Sequence, residues 1–406
     1  MELGARRRDR RNRRLIVRRR LLAGVLAVAM ALAASVAWAA AGGTGGTTGG
    51  NGPTGQTGPA GSIVPRLTTA QLAGQLIIYS YAGLRPPRGL IARIRAGDAA
   101  GVIFFADNVT SARQLAGVAA ELQQASASSP IHVPLLLMTD QEGGLVRRLP
   151  GAPRRSEKQI GQSAVGAMLA AQAGAGAAAN LRSAGLNVNL APVLDVYRQA
   201  GSFIDRYERS YSSDPAVVTS LGAAFIAAQQ TGGVAATAKH FPGLGAAAAG
   251  QDTDAGPVTL DVSARTLRTI DEAPYVGAIG AGVKLVMVSW AVYPTFGTTL
   301  PAGLSRAVIQ GELRGRLGFS GVTITDAIGA GALDGYGGIG RRALLAAEAG
   351  ADLILCSGVN ANGNGPALGG QAFASLRRSL ESGALDRSTA ETAAGRVLGL
   401  RAALAG

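Results

Sequence analysis

The 406-residue sequence contains one cysteine, two histidines and only 4% aromatic residues. With Cys356 alone, no intrachain disulfide can form, and no cysteine follows the amino-terminal apolar run to carry a lipid. Cys356 ends an apolar stretch and reads as a buried structural thiol. His132, His240 and a single thiol cannot assemble a His/Cys metal centre, and no acidic pattern marks a carboxylate one. Neither a metal nor a cofactor is expected. So few rings leave Ala, Val, Leu and Ile to build the core. Also missing is any Lys/Arg run with interleaved aromatics outside the amino terminus. The formal charge of +14 is concentrated in residues 1–39, where ten Arg face Glu2 and Asp9, which leaves only +6 for the rest. Nucleic acid is therefore not an expected partner.

What is present begins with an export signal. Arg6 to Arg20 precede the apolar run Leu21–Trp38, and Ala37-Trp38-Ala39 has the A-x-A form of a cleavage site. Residues 1–39 are thus expected to be removed, giving a mature chain that starts near Ala40 in the cell envelope or outside the cell. An uncleaved membrane anchor is the alternative, because about 18 apolar residues approach the spanning length. The arginines at 18–20 leave a twin-arginine route open. Residues 40–62 are rich in Gly, Thr and Pro without apolar periodicity and read as a flexible linker.

From Ile63 to the end, at 406, short apolar segments alternate with helical stretches. Strand candidates are Leu76–Tyr79, Gly101–Phe105, Leu135–Asp140, Leu186–Leu190, Val234–Lys239, Lys284–Ser289, Val322–Asp326 and Asp352–Cys356. Helical patterns include Ala112–Ala125, Ser163–Ser183, Pro215–Thr231 and Ser305–Leu317. Continuous apolar strands separated by helices predict a parallel sheet buried on both faces. Eight such units predict a single-domain α/β fold, a (β/α)₈ TIM barrel, with a doubly wound open sheet as the alternative. Asp140, Asp195, Lys239, Ser289 and Asp326 fall at or just beyond strand ends, where a parallel barrel gathers catalytic groups.

Five segments carry more specific information. They are Asp140–Arg148 (DQEGGLVRR), Asn189–Asp195 (NLAPVLD), Arg209–Pro215 (RSYSSDP), Lys239–Gly243 (KHFPG) and Gly318–Asp326 (GFSGVTITD). Together they resemble the barrel domain of family 3 glycoside hydrolases, closest to the bacterial β-N-acetylhexosaminidases, from about Leu67 to about Leu400. The resemblance implies an O-glycosyl hydrolase without the second domain of larger members. Asp326 would be the nucleophile that forms a glycosyl-enzyme intermediate. Asp140, Arg148, Arg209, Lys239 and His240 would hold sugar hydroxyls. The residue types suit that chemistry, since an oxocarbenium-like transition state needs a carboxylate at the anomeric carbon and an acid on the leaving oxygen. An Asp that merely caps the next helix is the structural alternative for Asp326.

One departure stands out. The family's hexosaminidases take their general acid/base from a loop after the Lys-His-Phe-Pro-Gly segment, as a histidine in an Asp-Ser-His arrangement. Here that stretch reads LGAAAAGQDTD from Leu244 to Asp254, with Asp252 matching the loop aspartate and Asp254 standing in the histidine's place. Leu244 replaces a second family histidine. His132 precedes the third strand, at the opposite barrel end, and cannot substitute. Three readings remain open. Asp254 or Asp252 is the acid, with its pKa raised. Another group such as Glu208 supplies the proton. Or hydrolysis is lost and the chain is a silent carbohydrate-binding barrel. The Ala/Gly-rich loop predicts mobility, with the acid arriving on closure.

Gly335–Gly340 spells G-x-G-x-x-G but starts nine residues beyond Asp326, too far from the strand end for a dinucleotide fingerprint. A barrel enzyme using Lys239 as a Schiff-base amine is the weakest alternative. The expectation is a retaining glycosidase for terminal β-linked N-acetylhexosamine or related sugars of cell-wall or other glycans. Its partner is a carbohydrate, peptidoglycan-derived among the options, and the membrane enters only through an uncleaved signal.

Overall fold

Eight short strands, every residue of them buried, form the centre of the fold in the computed structural model, which describes residues 63–358 and 366–405. They are β1 (Ile77–Tyr79), β2 (Gly101–Ile103), β3 (Leu136–Thr139), β4 (Val188–Asn189), β5 (Ala235–Phe241), β6 (Leu285–Val288), β7 (Val322–Thr325) and β8 (Ile354–Cys356). Neighbours in sequence are neighbours in the sheet, all parallel, with β8 beside β1 through Ile77↔Ile354 and Tyr79↔Cys356. The ring closes between β7 and β8. Ile324 bridges Leu353, Thr325 N–H donates to the Leu353 carbonyl at 3.0 Å, and Leu353 N–H donates to Thr323 at 2.9 Å. Closure makes this a (β/α)₈ barrel and excludes the open sheet. The expected signal segment 1–39 and linker 40–62 lie outside the described residues. No helix among the described residues is long and apolar enough to cross a membrane.

Strand periodicity explains how the core divides. Successive side chains point to opposite faces, so Ile78, Leu136, Met138, Leu285, Met287, Val322 and Ile324 fill the barrel interior. Their alternates Ile77, Tyr79, Leu137, Val286, Val288 and Cys356 face the surrounding helices. Cys356 is fully buried there, and burial pushes its thiol pKa well up, as expected of an inert thiol. The carboxy-terminal helix Arg387–Ala403 joins the interior cluster through Val397 and Leu400 and stops the amino-terminal end of the barrel.

The same period of two positions the polar residues. Met138 faces inward, so Asp140 is next in that register. Ala235 leads to Lys239 and Ile324 to Asp326 in the same way. Three charged groups on three strands thus enter the barrel mouth directly above an apolar floor.

Candidate active site

A cavity of about 160 Å³ opens at the carboxy-terminal end of the strands. Ile103, Leu190, Met287 and Leu355, the top of the interior layer, line its floor. Around the wall stand Asp140, Arg148, Arg209, Lys239, His240, Asp254 and Asp326. Seven of the nine residues given a site role from sequence therefore meet in one cavity. Asp252 does not line it. Its Oδ1 instead accepts the Asp254 N–H at 2.9 Å, an Asx turn that presents the next acid. Glu208 is also off the wall, in the left-handed region at φ 57°, and its carbonyl accepts Lys158 N–H. His132 stands exposed before β3 with Nδ1 2.9 Å from the Ala127 carbonyl oxygen.

The cationic side is preorganised. Lys239 Nζ donates to Asp140 Oδ1 at 2.7 Å and lies 2.8 Å from Glu142 Oε1. Arg209 grips Glu142 with two bonds, Nε at 2.9 Å and a terminal nitrogen at 2.8 Å. Burial opposes ionising Glu142, yet Arg209 and Lys239 outweigh it and hold the carboxyl well below the usual range. Asp140 is held low in the same way, against burial, by Lys239 and Arg148. Burial would also favour a neutral Lys239, but Asp140 and Glu142 raise its pKa, so the amine stays charged. A Schiff-base nucleophile needs the neutral amine, and nothing here supplies it. Arg148 lies 3.7 Å from Asp140, and its buried Nε has no protein partner, a donor left for a ligand.

His240 is fixed from behind. Its Nδ1 sits 2.8 Å from Asp195 Oδ2, while Asp195 Oδ1 accepts the Leu244 N–H at 2.6 Å and the His240 N–H at 3.3 Å. The carboxylate holds the ring proton on Nδ1 and leaves Nε2 toward Arg209, 3.4 Å away. Sequence reasoning placed Asp195 at a strand end and Glu142 within a motif without giving either a role. Both are buried acids, Glu142 three residues beyond β3 and Asp195 six beyond β4, and only their partners show what they do.

The acid side is built differently. Asp326 follows β7, and its Oδ1 accepts the Ala327 N–H at 2.7 Å. The loop carrying Asp254 is tied down beside it, where Gly331 N–H donates to the Asp254 carbonyl at 2.9 Å and Ala332 N–H to that of Thr253 at 3.1 Å. A Cβ on Gly331 would stand 2.7 Å from the Ala255 carbonyl oxygen, so only glycine allows this approach. The Ala/Gly composition predicts a mobile loop, but these bonds hold it in place with the acid already at the cavity. Asp254 keeps an exposed outer side. At its carboxyl, loss of solvent, then the charge of Asp326, then that of Asp252 raise the pKa from 3.8 to about 7. A carboxyl raised on folding favours the fold at acid pH, and that contribution is lost as pH rises through about 7. Asp254→Asn should accordingly gain in Tm over the wild type between pH 4 and pH 8. A melting-temperature gap independent of pH would contradict this placement.

Among the described residues no group of three or more His, Cys, Asp or Glu is arranged to hold a metal ion. The Gly335–Gly340 segment lies in a tight turn leading into the helix Ile339–Ala349, away from the cavity wall.

Comparison with known proteins agrees with this geometry. An uncharacterized secreted glycosyl hydrolase of Arthroderma benhamiae is 48% identical over 308 residues, 75% of this chain and 86% of that protein. A beta-hexosaminidase of Xanthomonas oryzae is 35% identical over 263 residues, 63% of this chain and 75% of that protein. Among solved structures, a family 3 beta-N-acetylglucosaminidase from a Paenibacillus superposes with a TM-score of 0.76 at 35% identity. That match covers 84% of this chain, which spans 64% of the length of that structure. Residues 70–400 match the family described as "Glycosyl hydrolase family 3 N terminal domain". A closed parallel barrel, a mouth lined by paired acids and fixed cations, and a family match spanning nearly all the described residues lead to one assignment: the chain belongs to glycosyl hydrolase family 3.

Proposed function

We propose that this glycosidase is a retaining β-N-acetylhexosaminidase in which an aspartate loop replaces the family's histidine loop. Asp326 attacks the anomeric carbon as the leaving oxygen takes a proton from Asp254, and a glycosyl ester forms on Asp326. The Asp254 carboxylate then removes a proton from water, which opens the ester and restores both acids. Asp140 and the free Nε2 of His240 accept from the sugar's hydroxyls, while Arg148, Arg209 and Lys239 donate to its oxygens. Glu142 and Asp195 keep those groups charged or correctly oriented. The names of the bacterial relatives support the sugar class, and peptidoglycan fragments are one source of it. The secreted fungal relative supports action outside the cytoplasm.

The observation that carries this reading is that Asp254 and Asp326 line one cavity, where loss of solvent and the charge of Asp326 push the Asp254 carboxyl up to about 7. An ordinary aspartate would be almost wholly ionised at neutral pH and a poor donor. Here loss of solvent and the neighbouring carboxylates favour the protonated form. For substrates with poor leaving groups, kcat/KM should fall as pH rises through about 7, because the protonated form disappears. Dinitrophenyl glycosides, which need no proton, should show a flatter alkaline limb. A common limb for both substrates, or one near pH 4 to 5, would remove Asp254 as the acid.

A further inference from the structure

Among the described residues Tyr207 is the only exposed aromatic, with 41% of its surface open. In a chain so poor in rings, every other described one is buried or half-buried, and leaving this one in water forgoes a large apolar contribution. It lies in the loop after β4, between Phe203 and Arg209, which both line the active-site cavity. Its ring meets that of Phe203 edge-on, with centroids 6.0 Å apart. The Arg206 guanidinium stands 4.6 Å from the ring centroid and donates to the phenolic oxygen at 3.0 Å. The ring is held in one orientation before any ligand arrives, which lowers the entropic cost of using it. Arg206 is itself exposed and has no ion pair with a carboxylate among the described residues.

This segment belongs to the acid's side of the cavity. Phe203 N–H donates to the Ala247 carbonyl at 3.2 Å, and Arg198 N–H to that of Gly245 at 3.0 Å, joining it to the loop that carries Asp254. A glycosidic leaving group must lie beside its proton donor. The exposed ring packs on Phe203, a residue of the cavity wall, on the side joined to the acid's loop.

We propose that Tyr207 and Arg206 form the subsite for the leaving-group sugar. The inference rests on the hexosaminidase reading above. The apolar face of the second pyranose packs on the phenol ring, and the guanidinium donates to the oxygens around its edge.

The test compares two substrates that share the first sugar. One is the β-1,4-linked disaccharide of N-acetylglucosamine, and the other is the β-fluoride of N-acetylglucosamine, whose leaving group is a single atom. The ratio of kcat/KM for disaccharide to that for fluoride should fall about five- to tenfold in Tyr207→Ala and return to within about twofold in Tyr207→Phe. An unchanged ratio, or an equal fall on both substrates, would overturn the subsite. Failure of the wild type on both substrates would instead overturn the hexosaminidase reading, and the inference with it.

Discussion

Asp326→Asn is expected to lower turnover of any glycoside substrate by about 10³-fold or more while leaving the fold intact. The amide is isosteric with the carboxylate but a very poor nucleophile. Its carbonyl oxygen can still accept the Ala327 N–H that Oδ1 now takes at 2.7 Å. The turn after β7 is thereby preserved, and Tm should stay within about 2 °C of the wild type. Steady-state kinetics on an activated aryl glycoside and a thermal melt check both halves. Activity within a few-fold of wild type would reassign Asp326 to capping that turn.

The second large effect concerns Asp254. Removing a general acid costs most where the leaving group most needs a proton, typically 10²–10⁴-fold. Asp254→Ala should therefore lose roughly that factor on unactivated glycans, and less than about tenfold in kcat/KM on dinitrophenyl glycosides. Asp252→Ala should fall between the wild type and Asp254→Ala. Its carboxylate stays off the cavity wall and acts through Asp254, by accepting that residue's N–H and by raising its pKa. A leaving-group series on both variants decides the matter. Equal losses across the series would remove both residues as acid candidates. No turnover by the wild type, with glycan binding retained, would favour the silent carbohydrate-binding barrel.

The contrast between these two acids shows how much the sequence could reveal. Asp140, Lys239 and Asp326 were legible because each ends an apolar run, and strand alternation then points them into the mouth. All eight strands were legible for the same reason, since a parallel strand buried on both faces is apolar throughout, whereas closure of the sheet was not. The loop from Leu244 to Asp254 has no periodicity, so nothing in its order says which carboxyl faces the cavity. Only the Asx turn at Asp252, and the bonds from Gly331 and Ala332 across a sequence gap of almost eighty residues, answer that. Glu142 was hidden differently. It follows Asp140 by two residues, but the chain has already left the barrel for a short hairpin, Gln141–Gly143 paired with Val146–Arg147. It holds Arg209 and Lys239, and that pairing joins a hairpin, a loop and the end of β5. The plug formed by Val397 and Leu400 was equally unreadable, because an amphipathic helix pattern does not say which surface it covers.

The division of roles between Asp326 and Asp254 is tested most directly by intercepting the covalent intermediate. In Asp254→Ala, a dinitrophenyl N-acetylhexosaminide should still glycosylate Asp326, since the phenolate leaves without a proton. Deglycosylation should then stall, since no carboxylate activates water. Rapid mixing followed by denaturing mass spectrometry should show the protein heavier by one glycosyl residue. Proteolysis should place that mass on the peptide containing Asp326. The sugar on another residue, or substrate consumed rapidly with no mass gained, would contradict the account.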